Sequence, residues 1–417
     1  MDVLLRFLPP AREKTHGART IRLETPEARS RRARAQGLGG NSRASRAWKG
    51  EKPRKLLRLR CPNPARISGI FIFGPFVSKE SAAHGEKLDA AAQLTDKFGR
   101  SITDLRISVT DRCNFRCVYC RSADPENHVA EHKLLSWQEL ERLAHILVGM
   151  GIRKVRVTGG EPLVRHGVEE FISTLRQMGV PDLSLTTNGH LLAERCEKLI
   201  AAGLHRINIS LDSLDRARFE KITRTRSFER VMAGIDAAQS SRLRPVKVNA
   251  VLVRGINDDE VERFAEFARE RDLIMRFIEF MPLDADRAWT RELMVPAAEV
   301  QRRIEARWPL VPVAHERSET ARKFKFADGR GEIGLIAPVT QPFCGFCSRI
   351  RLTADGKLRT CLFSKDDYDL KPFLRGGAGD AEIESEIRSR VMGKEAGHRI
   401  NDPDFVPPSR TMVYIGG

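Results

Sequence analysis

Cys113, Cys117 and Cys120 lie in the run Val109-Thr110-Asp111-Arg112-Cys113-Asn114-Phe115-Arg116-Cys117-Val118-Tyr119-Cys120, a C-x3-C-x2-C loop. Such a loop wraps three thiolates around one small object and offers no fourth. A tetrahedral zinc site or an electron-transfer [4Fe–4S] cluster takes four protein ligands. Three ligands leave one metal corner open, where something else binds. A zinc loop is the bland alternative, and no fourth ligand is adjacent to complete it.

Cys344, Cys347 and Cys361 form a second triad, C-x2-C-x13-C. Read alone, it also fits a zinc ribbon lacking one ligand. His315 and His398 could serve as a fourth ligand, but neither sits at finger spacing. A hairpin expected around Ala354-Asp355-Gly356-Lys357 brings Cys361 back toward the other two. Cys347, Arg349 and Arg351 fall at i, i+2 and i+4 of an expected strand, hence on one face. Two guanidiniums beside an open metal site suit a polyanionic substrate, since Arg makes bidentate phosphate contacts. Exposed strand charges are the plain alternative.

Short β-branched runs alternate with helical stretches and must position these residues. Strands are expected at Leu105–Val109, Lys154–Thr158, Leu183–Thr187, Arg206–Leu211, Val246–Val253 and Met275–Phe280. Helices are expected at Trp137–Met150, Val168–Met178, Leu191–Ala202, Phe228–Ser240 and Asp259–Arg271. Ser136-x-x-Glu139 opens the first helix as a capping box, and Gly151, Gly179 and Gly203 stop three of them. Six strands with helices between them argue for a parallel α/β sheet, barrel-like or doubly wound. Chemistry in such folds gathers at the C-terminal strand ends. The cysteine loop, Gly159-Gly160-Glu161-Pro162 and Thr186-Thr187-Asn188-Gly189 all fall there. From about Met294 a third region carries the strand-like Glu332–Ile336, the second triad and a helix near Ala381–Val391.

The 417 residues carry a formal net charge of +17. Residues 1–94 hold 20 Lys/Arg against 8 Asp/Glu, so most of the excess belongs to this leader. It is weak ground for nucleic-acid binding by the folded body. The leader's Arg-, Ala-, Gly- and Ser-rich composition buries too little apolar surface to fold. It is read as a disordered extension, a targeting leader or a misassigned start, with a nucleic-acid-binding arm as the further alternative. Six of eight cysteines form two tight groups, which reads as metal ligation in a reducing compartment and not as a disulfide framework. Cys196 reads as a small helix-face residue, and Cys61 has no assigned role. The apolar run from Ile67 to Val77 is too short to span a bilayer, and no clear signal peptide opens the chain.

The C-x3-C-x2-C loop, the aromatic Tyr119 before its last Cys, and Gly-Gly-Glu-Pro one βα unit later together resemble the radical S-adenosylmethionine (SAM) superfamily. The second triad, Asp104-Leu105-Arg106-Ile107-Ser108, Arg276-Phe277-Ile278-Glu279-Phe280-Met281 and the terminal Gly416-Gly417 narrow the resemblance to the GTP 3′,8-cyclase family. It spans about Leu94 to Gly417. It implies an α/β fold: a partial (β/α)6 TIM-like radical SAM barrel over residues 95–293 and a C-terminal α+β auxiliary-cluster domain over 294–417, behind the disordered basic extension 1–94.

The resemblance implies two [4Fe–4S] clusters, one on Cys113, Cys117 and Cys120 and one on Cys344, Cys347 and Cys361. SAM would bind the open iron of the first. The backbone near Gly160 would meet its amino group, Tyr119 its adenine and Ser210 its carboxylate, with Met281 a further contact. GTP would meet the second cluster through its guanine ring. Arg106, Lys154, Arg156, Lys247, Arg276, Arg349 and Arg351 would hold its phosphates, with Thr186 a further contact. Arg349 and Arg351 would also take part in catalysis, and the Gly-Gly tail would enter the site. The implied activity is a lyase, radical cyclisation of GTP at the start of molybdenum-cofactor synthesis. The implied partners are a flavodoxin- or ferredoxin-type reductant and, downstream, cyclic pyranopterin monophosphate synthase. A cytoplasmic enzyme is expected, without nucleic-acid or membrane partners, and a homodimer is left open. Arg121-Ser122 replaces the family's usual Met-Pro. The rival readings are a radical SAM peptide-modifying enzyme with an auxiliary cluster and a zinc-bearing nucleic-acid-binding protein.

Overall fold

The computed structural model describes residues 93–122 and 128–416. The expected extension over 1–94, with Cys61, lies outside the described residues except for Gln93 and Leu94. Leu94 is 1% exposed within the core, and its N–H donates to the Met150 carbonyl.

Six strands run in sequence order: β1 (Asp104–Ser108), β2 (Lys154–Thr158), β3 (Asp182–Thr187), β4 (Arg206–Ser210), β5 (Val246–Leu252) and β6 (Ile274–Glu279). Each pairs in parallel with the next. The crossovers are α1 (Trp137–Gly149), α2 (Val168–Gln177), α3 (Leu192–Ala201), α4 (Arg216–Thr223), α5 (Phe228–Ser240) and α6 (Val261–Arg271). Expected boundaries hold to within two residues. Helix α4 is the addition. Its run Arg-Ala-Arg-Phe-Glu-Lys-Ile-Thr is short and half charged, so its apolar period is faint. The legible signal was its cap, Asp215, whose side chain accepts from the Arg218 N–H. The capping box at Ser136 and Glu139 forms in both directions, 3.1 and 2.7 Å.

The strands alternate with an inverted sense. Leu105, Ile107, Val155, Val157, Leu183, Leu185, Ile207 and Ile209 are buried in the main core. Their neighbours Asp104, Arg106, Lys154, Arg156, Asp182, Ser184 and Arg206 line a chamber on the other face of the sheet. A period-2 pattern with charges is usually a half-solvated sheet. Here the polar face is the barrel lumen.

The C-terminal residues build no sheet of their own. They lengthen the barrel sheet at both edges. β9 (Glu332–Ile336) adds in parallel to β6, and β10 (Arg349–Leu352) adds in parallel to β1. β7 (Leu310–Val313) and β8 (Arg322–Phe326) continue antiparallel from β9, while β11 (Lys357–Arg359) and β12 (Tyr368–Asp369) continue from β10. The order is therefore β12-β11-β10-β1-β2-β3-β4-β5-β6-β9-β8-β7, a partial barrel whose end strands do not pair with each other. Four helices complete the described chain: α7 (Ala297–Glu305), α8 (Lys371–Arg375), α9 (Asp380–Met392) and α10 (Met412–Ile415). Among the described residues no helix is long and apolar enough to cross a membrane.

Candidate active site

The cysteine loop leaves the C-terminal end of β1 and docks on the turn after β2. The Gly160 N–H donates to the Thr110 carbonyl at 2.6 Å and the Glu161 N–H to the Arg112 carbonyl at 2.8 Å. A Cβ on Gly159 would lie 2.7 Å from the Thr110 oxygen, and one on Gly160 would lie 2.4 Å from the Arg112 oxygen. The glycine pair is thus required for the turn to accept the cysteine loop. Glu161 joins this turn to the one after β3. Its carboxylate accepts from the Leu163 N–H, the Thr187 hydroxyl and the Asn188 N–H at 3.1, 2.8 and 2.7 Å. Burial pushes its carboxyl up to about 7 against those bonds.

Arg121, at the departure from the family pattern, is buried and closes the loop on itself. Its Nη1 donates to the Cys113 carbonyl at 3.1 Å. The Tyr119 hydroxyl donates to Asp212 Oδ2 at 2.6 Å, while Asp212 Oδ1 accepts from the Val251 N–H. Tyr119 is thereby held as a chamber wall at the end of β4, a role for Asp212 that its position in Asn208-Ile209-Ser210-Leu211-Asp212 did not disclose.

The decisive relationship is spatial. Cys113, Cys117 and Cys120 line the same cavity as Cys344, Cys347 and Cys361, a chamber of about 300 Å³. Gly160, Tyr119, Ser210, Met281 and Thr186 line it as well, with Arg106, Arg156, Arg276, Arg349 and Arg351. Lys154 and Lys247 do not reach it. They line an adjoining chamber deeper in the barrel, together with Arg106, Arg156, Arg206, Arg276 and Arg349. Lys154 pairs there with Glu316 at 2.7 Å. His398 lines the main chamber, whereas His315 is exposed beyond β7. Gly417 lies outside the described residues. Cys196 packs inside the core on α3, as its helix position implied.

Register explains the arginine cluster. Arg106 of β1 stands opposite Arg351 of β10 and Arg156 of β2, so three guanidiniums form one row across the sheet. Arg276 donates to Asn249 Oδ1 at 2.8 Å and Asn208 Oδ1 at 2.7 Å, both neutral acceptors. Burial, followed by the neighbouring arginines, pushes Arg276 down to about 9 and holds Arg106 well below its ordinary value. Burial pushes Lys247 down to about 7, with Arg276, Arg206 and Arg156 adding to it. Arg156 Nε and Thr186 Oγ1 are buried without a hydrogen-bond partner. Buried donors of one charge without acceptors are costly unless an anion completes them. Gly334 was not foreseen. It stands opposite Arg276 on β9, and a Cβ there would lie 2.9 Å from Arg276 Cγ.

Burial raises thiols in both triads, Cys361 in the second among them, and Cys347 is the exception. Cys113 is pushed up to about 11 and Cys117 well above its ordinary value, by burial and then by Glu161 and Asp212 respectively. Around Cys347 burial is outweighed by Arg349, Lys394 and Arg100, and its thiol lies below the ordinary value. All six cysteines are free thiols. Among the described residues no three His, Cys, Asp or Glu side chains close around one ion. The six sulfurs line one shared chamber.

A partial parallel barrel with a three-cysteine loop after its first strand defines a radical SAM protein. The Radical SAM superfamily pattern matches residues 107–268, and the Molybdenum Cofactor Synthesis C pattern matches 273–400. The chain is 46% identical over 368 residues to the GTP 3′,8-cyclase of Mycolicibacterium smegmatis, covering 86% of this chain and 99% of that one. It is 44% identical over 327 residues to the GTP 3′,8-cyclase of Thermodesulfovibrio yellowstonii, covering 78% of this chain and 100% of that one. This chain belongs to the GTP 3′,8-cyclase family. The Streptococcus suis SuiB structure bound to precursor peptide SuiA shares the fold, with a TM-score of 0.51, 13% identity and 76% coverage of each chain. At that identity the likeness is one of fold alone. Family membership implies SAM and a [4Fe–4S] cluster, and the C-terminal segment implies a second cluster.

Proposed function

We propose that this chain converts GTP to 3′,8-cyclo-7,8-dihydroguanosine triphosphate, the first step of molybdenum-cofactor synthesis. The observation that carries the reading is the single chamber lined by both cysteine triads and by six arginines. Bound at Cys113, Cys117 and Cys120, the first cluster with SAM would supply the radical chemistry that takes hydrogen from C3′ of GTP and so allows C3′ to close on C8 of guanine. Every other task falls to the chain's own residues.

Cys113, Cys117 and Cys120 hold the first cluster, and Cys344, Cys347 and Cys361 the second. The Gly159–Glu161 turn, Tyr119, Ser210 and Met281 seat SAM between them. Arg106, Arg156, Arg276, Arg349, Arg351 and Thr186 hold GTP in the chamber, and the phosphates extend toward Lys154 and Lys247 below. Fixing both ends of GTP holds C3′ and C8 in attack geometry, which is a positioning task. Phe280, Leu283, Ile336 and Phe363 on the walls exclude water and stray hydrogen donors. A flavodoxin- or ferredoxin-type reductant supplies electrons, cyclic pyranopterin monophosphate synthase receives the product, and the enzyme works in the cytoplasm.

The test is anaerobic reconstitution with SAM, dithionite and GTP, followed by mass and NMR analysis of the nucleotide. A cyclised GTP isomer formed with one 5′-deoxyadenosine per turnover supports the reading. Unchanged GTP alongside SAM cleavage and a modified peptide would replace it with the peptide-modifying alternative.

A further inference from the structure

Residues 94–102 precede the first triad and lie outside both family matches. They nevertheless reach the second triad. Asp96 Oδ1 accepts from the backbone N–H groups of Phe98 and Arg100 at 2.9 and 3.0 Å. Its Oδ2 accepts from Arg100 Nε at 2.5 Å, and both side chains are buried. Oriented in this way, the guanidinium turns its other donors onto three carbonyls more than 240 residues away. Nη1 donates to Cys344 and Ala396, each at 2.9 Å, and Nη2 donates to Glu395 at 2.6 Å. The Cys344 carbonyl also accepts from the Cys347 N–H at 3.0 Å, which closes the turn between those cysteines.

Residues 394–397 form a strap that touches every cysteine-bearing segment of this triad. Lys394, 2% exposed, donates from Nζ to the Arg349 carbonyl at 3.0 Å and to the carbonyl of Thr360, the residue before Cys361. The Glu395 carboxylate accepts from the Thr360 hydroxyl at 2.7 Å and the Ser364 hydroxyl at 2.5 Å. A Cβ on Gly397 would lie 3.1 Å from Cys344 Cβ and 3.5 Å from its sulfur, so the strap presses directly on that residue. Arg100 holds the two carbonyls in the middle of the strap and the carbonyl of Cys344 together.

We infer that Arg100, oriented by Asp96, is a positioning residue for the second triad, setting the spacing of Cys344, Cys347 and Cys361 through the 394–397 strap. The inference rests on the proposed reading of that triad as the holder of a cluster. Groups that orient metal ligands govern metal affinity nearly as strongly as the ligands do. A guanidinium presents five donors in a fixed fork, whereas an ammonium is a single nitrogen. Lys at position 100 cannot serve Asp96 and three separate carbonyls at once.

Two full-chain backgrounds separate the outcomes. Cys113→Ser, Cys117→Ser and Cys120→Ser together leave only the second triad. Cys344→Ser, Cys347→Ser and Cys361→Ser together leave only the first. Arg100→Lys and Arg100→Leu are placed in each, loaded anaerobically with iron and sulfide, and read by iron and sulfide content and by EPR of the reduced protein. Expected is at least a three-fold loss of iron and an altered EPR signal in the second-triad background, with first-triad loading unchanged. Parental iron content and EPR in the second-triad background would overturn the inference. Equal loss in both backgrounds would also overturn it, because that marks a general folding defect. If the second-triad background binds no iron and sulfide even with Arg100 intact, the reading of the triad itself fails first and the inference falls with it.

Discussion

Arg351 Nη1 donates to the Gly416 carbonyl at 2.6 Å, so a guanidinium on β10, the strand between Cys347 and Cys361, holds the terminal segment inside the barrel. Gly416 is there because little else fits. Its φ is +84°, and a Cβ would lie 2.9 Å from Ser108 Cβ and 3.0 Å from Thr158 Cγ2, at the ends of β1 and β2. The contact brings the C-terminal region, the first two barrel strands and the arginine row to one point.

Gly416→Val places a branched side chain against both strand ends and forces left-handed backbone on a residue that resists it. The expected result is a drop in GTP cyclisation of about tenfold or more, the scale of a displaced charged hydrogen bond. Cluster content is expected to stay parental, as read by iron analysis. Parental turnover would refute the placement of this segment at the site.

Arg349→Ala and Arg351→Ala should each lower GTP turnover by about 10- to 100-fold, the range for losing a charge-assisted contact of ~1.5–3 kcal/mol. Dithionite-driven cleavage of SAM to 5′-deoxyadenosine should continue, because that chemistry sits at the other triad. Product nucleotide and 5′-deoxyadenosine measured in one reaction separate the two effects. If either variant cyclises GTP at the parental rate, its assignment is wrong.

Gly334→Ala should act on GTP binding through Arg276. The added Cβ pushes on Arg276 Cγ, near the root of the side chain, where rotation offers little escape. The KM for GTP is expected to rise about tenfold, equivalent to ~1.4 kcal/mol, with the KM for SAM unchanged. Equal effects on both substrates would point to general disorder of the barrel.

Lys247 makes GTP binding pH-dependent. Its ammonium is pushed down to about 7 by burial and by Arg276, Arg206, Arg156 and Lys323. Asp182, Glu319 and Glu332 stand around the same chamber. A bound polyphosphate favours the charged form and raises the pKa. Below pH 7 the lysine is already protonated and affinity is level. As pH rises from 7 toward the bound-state value, binding must take up a proton, so affinity falls. Calorimetry at pH 8 in buffers of differing ionisation enthalpy should show uptake approaching one proton, lost in Lys247→Met. Equal uptake in the two proteins would remove Lys247 from this role.

Much of this protein was legible in its residue order. Thiols four and three residues apart, a glycine pair one βα unit later, and strands whose period of two survives in Lys154–Thr158 are local facts. Covalent spacing and backbone geometry determine them without help from distant contacts. The sequence alone could not say that β9 and β10 would close onto opposite edges of the barrel sheet, because strand partners 58 residues apart for β6 and β9 and 245 apart for β1 and β10 leave no local trace. That pairing set Arg351 beside Arg106, turned Gly334 toward Arg276, and brought two triads more than 220 residues apart to one chamber. It also carried Arg100 to the second triad. Side-chain type is written along the chain, but which charges share a low-dielectric space is decided only when the sheet is assembled.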